Sequence, residues 1–180
     1  MKNFILTTLL LFSFALHGYC QSTNIISYQD FEKIKFNSHT LKELMAVSDF
    51  EVFLEQNYGN PTDKTCLENP MTTYGCEITY NGFELVFDYK DVLSWIDITN
   101  GLHEVQIGAN QFRVGSSIFE LKSRFPKSYN SRYSIEDSDG KKKFIRVDIS
   151  VERSETSILF EYDDGNNTIS KIGIFTGGEQ

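Results

Sequence analysis

Six side chains on one predicted face of a β-sheet have types and spacing that are typical of a binding surface. Period-two alternation places them on the face opposite the core: Val86, Trp95, Phe144, Arg146, Leu159 and Lys171. An uncovered antiparallel sheet face is normally polar, and Trp and Arg often carry binding energy. We therefore predict a protein- or peptide-binding face with Trp95 as its anchor. The alternatives are that a loop or the N-terminal segment, residues 21–31, covers this face or that Trp95 packs at an edge.

The cysteines Cys66 and Cys76 predict a disulfide, because an even pair in an oxidising compartment is most simply bonded. The bond would close a short loop from Leu67 to Gly75. A metal site would need more ligands nearby. The other candidate ligands, His39 and His103, lie in unrelated contexts and are interpreted as surface histidines.

Catalytic motifs are missing from the sequence. It contains no G-x-S-x-G nucleophile elbow, no glycine-rich phosphate loop and no H-E-x-x-H zinc motif. The acidic stretch at residues 163–165 lacks the further ligands of a calcium loop and predicts a hairpin turn. We expect no enzymatic activity, no cofactor and no metal.

The N-terminus predicts a signal peptide over residues 1–20. Lys2 precedes an apolar run from Phe4 to Leu16, which is too short to span a bilayer. Cleavage after Cys20 would begin the mature chain at Gln21, in the periplasm or outside the cell. The alternative is an outer-membrane lipoprotein, with a lipid anchor at Cys20.

The charge balance is acidic. The chain of 180 residues has 25 Asp and Glu against 17 Lys and Arg, a formal net charge of −8, and loss of Lys2 makes the remainder more acidic. Nucleic-acid binding and attachment to anionic lipid both need a basic surface. We therefore expect no nucleic-acid partner, and we find no membrane span after the N-terminus.

An internal similarity at a spacing of about 70 residues predicts a duplication. Residues 34–41 match 105–112, and Ser48-Asp-Phe-Glu51 matches Ser117-Ile-Phe-Glu120. Both S-x-x-E tetrapeptides have the pattern of a helix capping box. After an N-terminal segment at 21–33, we predict one shared domain of two repeats, residues 34–102 and 103–180.

Each capping box is followed by one apolar helical stripe. The two stripes bury Phe50, Phe53, Leu54 and Tyr58 in the first helix and Ile118, Leu121 and Phe125 in the second. Gly59 and Pro61 should end the first helix, and Pro126 should end the second.

Three strands with period-two alternation follow each helix. Their core-facing residues are Phe83, Leu85, Phe87, Tyr89, Ile96, Ile98, Ile145, Val147, Ile149, Val151, Ile158, Phe160, Tyr162, Ile172 and Ile174. The predicted fold class is α+β, with two α-β-β-β repeats that form one antiparallel sheet and helices packed on one face.

This order resembles the tandem-repeat fold of beta-lactamase inhibitory proteins and the related small outer-membrane-assembly lipoprotein domains. The matching residues are Val114-Gly-Ser-Ser117, Glu120-Leu121 and Phe125-Pro126, followed by strands that end at 172–174. The resemblance covers residues 34–177 and implies an inhibitor-like or assembly-factor-like role.

Together these features predict an exported, non-enzymatic protein of a bacterial envelope that binds a protein or peptide in that envelope. One alternative is an immunity protein, whose acidity would suit a basic toxin. Another is a small-ligand carrier with a pocket between helices and sheet.

Overall fold

The computed structural model describes residues 23–67, 75–136, 140, 142–163 and 165–177. The predicted signal peptide and Cys20 lie outside the described residues. Within the described part, no helix is both long and apolar enough to cross a membrane. The fold is α+β, as predicted.

Five short helices occur in the described residues. They are α1 (Tyr28–Glu32), α2 (Leu41–Met45), α3 (Phe50–Tyr58), α4 (Phe119–Arg124) and α5 (Pro126–Asn130). The two predicted helices are α3 and α4. Helix α3 ends at Tyr58 and is followed by Gly59, as predicted.

Neither predicted capping box forms. Asp49, not Ser48, caps α3, and its carboxylate accepts a 3.1 Å hydrogen bond from the Val52 N–H. At α4 the Ser117 hydroxyl accepts a 3.3 Å hydrogen bond from the Phe119 N–H and not from the Glu120 N–H, which donates to the Ser117 carbonyl oxygen at 3.2 Å. Ile118 precedes α4 and has no side-chain cap.

The observed capping box lies at α2 instead. The Glu43 N–H donates to Thr40 Oγ1 at 3.2 Å, and the Thr40 N–H donates to the Glu43 carboxylate at 2.8 Å.

Pro126 ends α4, as predicted, but it also begins another helix. It occupies the first position of α5, where its missing N–H costs no hydrogen bond.

In the described ranges the main sheet has nine strands and is mixed. In spatial order it contains β1 (Asn24–Ile26), β11 (Lys142–Val151), β12 (Ser157–Asp163), β13 (Thr168–Phe175), β7 (Leu93–Ile98), β6 (Phe83–Phe87), β5 (Cys76–Tyr80) and β4 (Asp63–Cys66), and β10 (Tyr133–Glu136) also pairs with β11. Strand β1 is parallel to β11, and the other pairs are antiparallel.

A second, four-stranded antiparallel sheet corrects the prediction of one antiparallel sheet. It contains β3 (His39–Thr40), β2 (Lys35–Phe36), β8 (Glu104–Ile107) and β9 (Asn110–Arg113), in that order. The hairpins at residues 35–40 and 104–113 pair with each other through Phe36 and Val105 instead of extending the main sheet. Residues 34–41 and 105–112 are therefore neighbours in space.

The core lies between the main sheet and a layer formed by the helices and the second sheet. Every predicted core residue of the strands is buried except Tyr89. Phe50 of α3 stacks on Phe87 of the main sheet, and Phe112 of the second sheet packs edge-on against Phe160. Aromatic side chains therefore join the two layers.

Tyr89 is 55% exposed, which corrects its placement in the core. Strand β6 ends at Phe87, and Tyr89 follows in a turn. The buried carboxylate of Asp88 holds this turn by accepting hydrogen bonds from the N–H groups of Lys90 and Val92, at 2.8 and 2.9 Å. The alternation therefore ends at Phe87, two residues before Tyr89.

The predicted disulfide is confirmed. Cys66 and Cys76 are directly opposite each other on β4 and β5, with their Cα atoms 4.1 Å apart. Strand β4 is exposed along its whole length and forms one edge of the main sheet. The bond therefore fixes this edge strand to its neighbour, as a covalent cross-link limits fraying.

Candidate functional site

The six predicted binding residues all lie on strands of the main sheet, in β6, β7, β11, β12 and β13. Val86 and Leu159 are buried, at 8% and 5% exposure, yet neither belongs to the hydrophobic core cluster. Val86 is opposite Trp95 in the register, and Leu159 is opposite Gly173. They therefore lie on the face that points away from the helices, which we call the outer face.

A groove of about 490 Å³ runs across the outer face. It is lined by Glu77, Glu84, Val86, Ser94, Trp95, Asp97 and Phe175. These residues come from four neighbouring strands, β5, β6, β7 and β13. The groove therefore crosses the central pairing of the main sheet, where β7 meets β13.

Two aromatic rings form the apolar part of the groove. Phe175, Trp95 and Val86 are cross-strand neighbours in one row. The rings of Trp95 and Phe175 lie 5.5 Å apart at an angle of 52°, and both side chains are half-buried. Each ring therefore presents part of its surface to solvent within the groove.

Three carboxyl groups flank these rings. Burial raises the pKa of Glu84, and the nearby carboxyls of Glu77 and Asp97 raise it further, while Lys171 lowers it in part. The ammonium of Lys171 forms a 2.6 Å ion pair with Asp97 Oδ2. The groove therefore contains more acidic than basic groups.

Asp97 has one unsatisfied atom. Its Oδ1 is buried and has no hydrogen-bond partner among the described residues. A Cβ at Gly173 would lie 3.2 Å from this oxygen and 2.8 Å from the Leu159 side chain. Glycine at 173 therefore allows Leu159 and Asp97 to approach each other over β13.

Arg146 belongs to a different set of contacts on the outer face. Its guanidinium donates to the buried carboxylate of Glu161 at 2.6 Å and lies 5.7 Å from the ring of Phe144. None of these three residues lines the groove. Of the six predicted residues, only Val86 and Trp95 line the groove. Lys171 is connected to it through its ion pair with Asp97, Leu159 lies beside Asp97 over Gly173, and Arg146 and Phe144 form a separate network.

The same network predicts a pH dependence of stability. Burial raises the pKa of Asp148, and Glu161 adds to this, while the Tyr133 hydroxyl, which donates to Asp148 at 2.9 Å, and Arg146 oppose it. A carboxyl with a raised pKa in the folded state binds its proton more tightly there than in the unfolded chain. Its contribution therefore favours folding at low pH and is lost as the pH rises through the folded-state pKa.

We compare the unfolding free energy of the unsubstituted protein with that of Asp148→Asn. We expect the difference to increase in favour of the unsubstituted protein as the pH falls from about 7 to about 4, the range just above an ordinary Asp pKa. Urea unfolding at several pH values measures this difference. Glu120→Gln, at an exposed position of α4, is the control and should leave the difference constant. A difference that stays constant or falls for Asp148→Asn would contradict the prediction.

Five groove residues were not among the predicted ones, namely Glu77, Glu84, Ser94, Asp97 and Phe175. All but Ser94 follow from the same alternation, since Asp97 is two residues after Trp95 and Glu84 is two before Val86. Ser94 is adjacent to Trp95, at the point where the register of β6 and β7 shifts. The sequence interpretation considered only the apolar and basic residues of that face. Acidic residues are common in this chain, so they did not stand out.

Residues 23–31 of the N-terminal segment do not cover the outer face, contrary to the alternative. Within residues 23–31, β1 adds to the sheet edge beside β11, and Phe31 of α1 is fully buried in the core. The segment therefore continues the sheet in its own plane and then crosses to the core side.

The helix–sheet interface contains one very small cavity and one larger cavity. The small one, lined by Phe50, Leu54 and Leu85 among others, measures about 10 Å³, which is about the volume that one water molecule needs. The larger one lies between α3 and strands β4 and β5 and measures about 200 Å³; its lining includes Glu55, Lys64, Ile78 and Tyr80. The small-ligand carrier therefore stays an alternative.

The two histidines pack against aromatic rings. The ring of His103 lies 4.6 Å from that of Phe83, and its Nε2 is 2.9 Å from the carbonyl oxygen of Asn81. His39 contacts Phe53 edge-on at 5.0 Å. Both are half-buried, so their interpretation as surface residues is only partly right. Among the described residues, no three His, Cys, Asp or Glu are grouped to hold a metal ion.

Comparison of the chain with protein-family models gives no match, and comparison with curated proteins gives none. Among solved structures, the chain is similar to an extracellular protein containing an SCP domain from Bacillus anthracis strain Ames, with 12% identity and a TM-score of 0.46. The similarity covers 73% of this chain and 44% of that protein, so the chain spans less than half of its length. Similarity at this level supports no argument about function.

Proposed function

We propose that this protein is an exported, non-enzymatic module that binds a protein or peptide on its outer face. The observation that carries the proposal is the groove of the outer face in which Trp95 and Phe175 lie side by side, both half-buried. In this proposal the partner is a protein that the chain inhibits or helps to assemble, as the family resemblance implies.

The composition of the groove supports this proposal. Trp is among the residues that most often dominate binding energy, and such anchors are usually surrounded by polar groups that exclude water. Trp95 and Phe175 have this arrangement, with Glu77, Glu84 and Ser94 around them. An aromatic pair on an open face suits a side chain inserted by a partner protein.

The disulfide supports export. Disulfides persist in oxidising compartments and are rare in the cytosol. Together with the predicted signal peptide at residues 1–20, the Cys66–Cys76 bond favours the periplasm or the exterior of the cell. The proposal therefore places the partner in the cell envelope.

The two-repeat organisation is part of the proposal and is supported by the strand order. Strands β7 and β13 pair at the middle of the main sheet. Strands β4 to β6 lie on the β7 side of this pair, and β10 to β12 lie on the β13 side. In the second sheet, β2 pairs with β8 at the centre. With repeats at 34–102 and 103–180, Trp95 comes from the first and Phe175 from the second. The groove would then form where the two repeats join.

Site-specific photo-cross-linking tests the binding face. Phe175 is replaced by the photoreactive residue benzoylphenylalanine, and the protein is irradiated in an envelope extract of the producing organism. The matched control is the same replacement at Phe119, which is 55% exposed on α4, on the helical side of the core. We expect a discrete protein adduct at position 175 and none at 119. An adduct at 119 alone, or at neither position, would reject the proposed face.

A further inference from the structure

We infer that the groove receives a basic side chain, lysine or arginine, from an extended segment of the partner. This inference rests on the proposed function and specifies the chemistry of the occupant. Two observations carry it: the excess of carboxyl groups in the groove and the exposed surfaces of the two aromatic rings.

The charge of the groove selects a cationic group. Glu77, Glu84 and Asp97 line it, and Lys171 is already paired with Asp97. No ion pair of Glu77 or Glu84 occurs among the described residues. A purely apolar occupant would bury these carboxyls without compensation, and an acidic occupant would be repelled.

The interaction between Glu77 and Glu84 supports the same conclusion. Glu77 and Glu84 line the same groove, and after burial the charge of the Glu77 carboxyl is the next cause that raises the pKa of Glu84. Two carboxyls in such proximity resist simultaneous ionisation. A cation bound between them would remove this repulsion, so binding energy is available to a positive charge in the groove.

The aromatic rings provide an apolar surface for the methylene part of a long basic side chain. Lysine and arginine lay their methylene stems on apolar surface and keep the charged group in a polar environment. A cation close to the face of an indole ring is also attracted by its π electrons. Trp95 and Phe175 could contact the stem while the head reaches the carboxyls.

The exposed sheet face indicates an extended segment as the carrier of this side chain. The groove crosses four strands on an open surface, so a chain can lie along it without entering an enclosed cavity. The chain as a whole is acidic, with a net charge of −8. Complementary charge would accelerate the encounter with a basic segment.

Three pentapeptides test the inference on the full exported protein. They have the sequence acetyl-TVXVT-amide, in which X is arginine, its uncharged analogue citrulline, or glutamate. Trp95 is the only tryptophan of the chain, so intrinsic fluorescence reports on the groove. We expect saturable quenching or a spectral shift with the arginine peptide and binding at least tenfold weaker with citrulline. Equal binding of both peptides, or no response to any, would overturn the inference.

Matched charge variants locate the effect. Glu84→Gln and Glu77→Gln should each weaken binding of the arginine peptide about tenfold, which corresponds to ~1.4 kcal/mol. Glu120→Gln removes the same charge from an exposed position on α4 and should change it less than twofold. Equal weakening by all three variants would indicate a general charge effect and would reject the groove as the site.

The outcomes separate this inference from the proposed function. If position 175 forms its adduct but arginine and citrulline peptides bind alike, the face binds a partner and the inferred charge preference is wrong. If position 175 forms no adduct and no peptide binds, both proposals fail.

Discussion

Trp95→Ala is expected to weaken partner binding by about 30- to 1,000-fold, the effect of losing a hot-spot side chain worth about 2–4 kcal/mol. Trp95 is the largest side chain of the groove and contacts Phe175 across the central strand pair. Its removal would delete the anchor and widen the groove. Calorimetry measures the loss, with the partner that the cross-link at position 175 identifies, prepared separately in its unmodified form.

The stability of this variant distinguishes a binding role from a structural role. Trp95 is half-buried and lies outside the core cluster, so its loss should lower the unfolding free energy by only about 1 to 1.5 kcal/mol, the value of an aromatic pair. Trp95→Phe keeps a ring and should retain most of the affinity. A large loss of stability, or unchanged affinity after Trp95→Ala, would contradict the role of Trp95 as anchor.

Phe112→Ala is expected to lower the unfolding free energy by about 3–5 kcal/mol, a large part of the stability of an ordinary domain. Phe112 is 1% exposed and belongs to the second sheet. Its ring packs 5.3 Å from that of Phe160 in the main sheet and 6.2 Å from that of Phe125. Alanine would leave a cavity where the two sheets and α4 meet. Urea unfolding measures the loss.

Two variants control for the loss of a phenylalanine as such. Phe112→Leu keeps most of the volume and should cost about 1 to 1.5 kcal/mol. Phe119→Ala removes an exposed ring and should change stability by about 0.5 kcal/mol or less. Similar losses at positions 112 and 119 would mean that the two layers do not depend on this contact.

The strands could be predicted from the sequence because alternation is a local property. Residues such as Ile96, Ile98, Ile172 and Ile174 repeat at intervals of two, and all four are buried as predicted. The pairing of Cys66 with Cys76 followed from their number and from the expected compartment. Neither prediction required knowledge of distant contacts.

The second sheet could not be predicted in this way. Strands β2 and β3 have two residues each, too few for a periodic pattern. Their partner β8 is distant in the chain, and only the folded structure brings the two hairpins together. The start of helix α4 shows the same limit, because Ser117 forms a bridge with Thr168, about 50 residues further along the chain.

The candidate site was predicted in part. Alternation placed Trp95 and Val86 on the outer face, where they line the groove. It could not indicate that Arg146 forms an ion pair with Glu161, since that contact depends on the register of β11 and β12. Strand β13 contributes Phe175 to the groove by the same kind of long-range pairing.

The central strand pairs also determine how the chain must reach its native state. Phe36 pairs with Val105 and Ile98 with Ile172, so both sheets close only when segments about 70 residues apart meet, which is the kind of contact that slows folding. Until residues beyond 102 are available, β2 and β7 present unpaired edges. Such edges promote aggregation and exchange of strands between molecules. The second half of the chain therefore protects the first half from self-association.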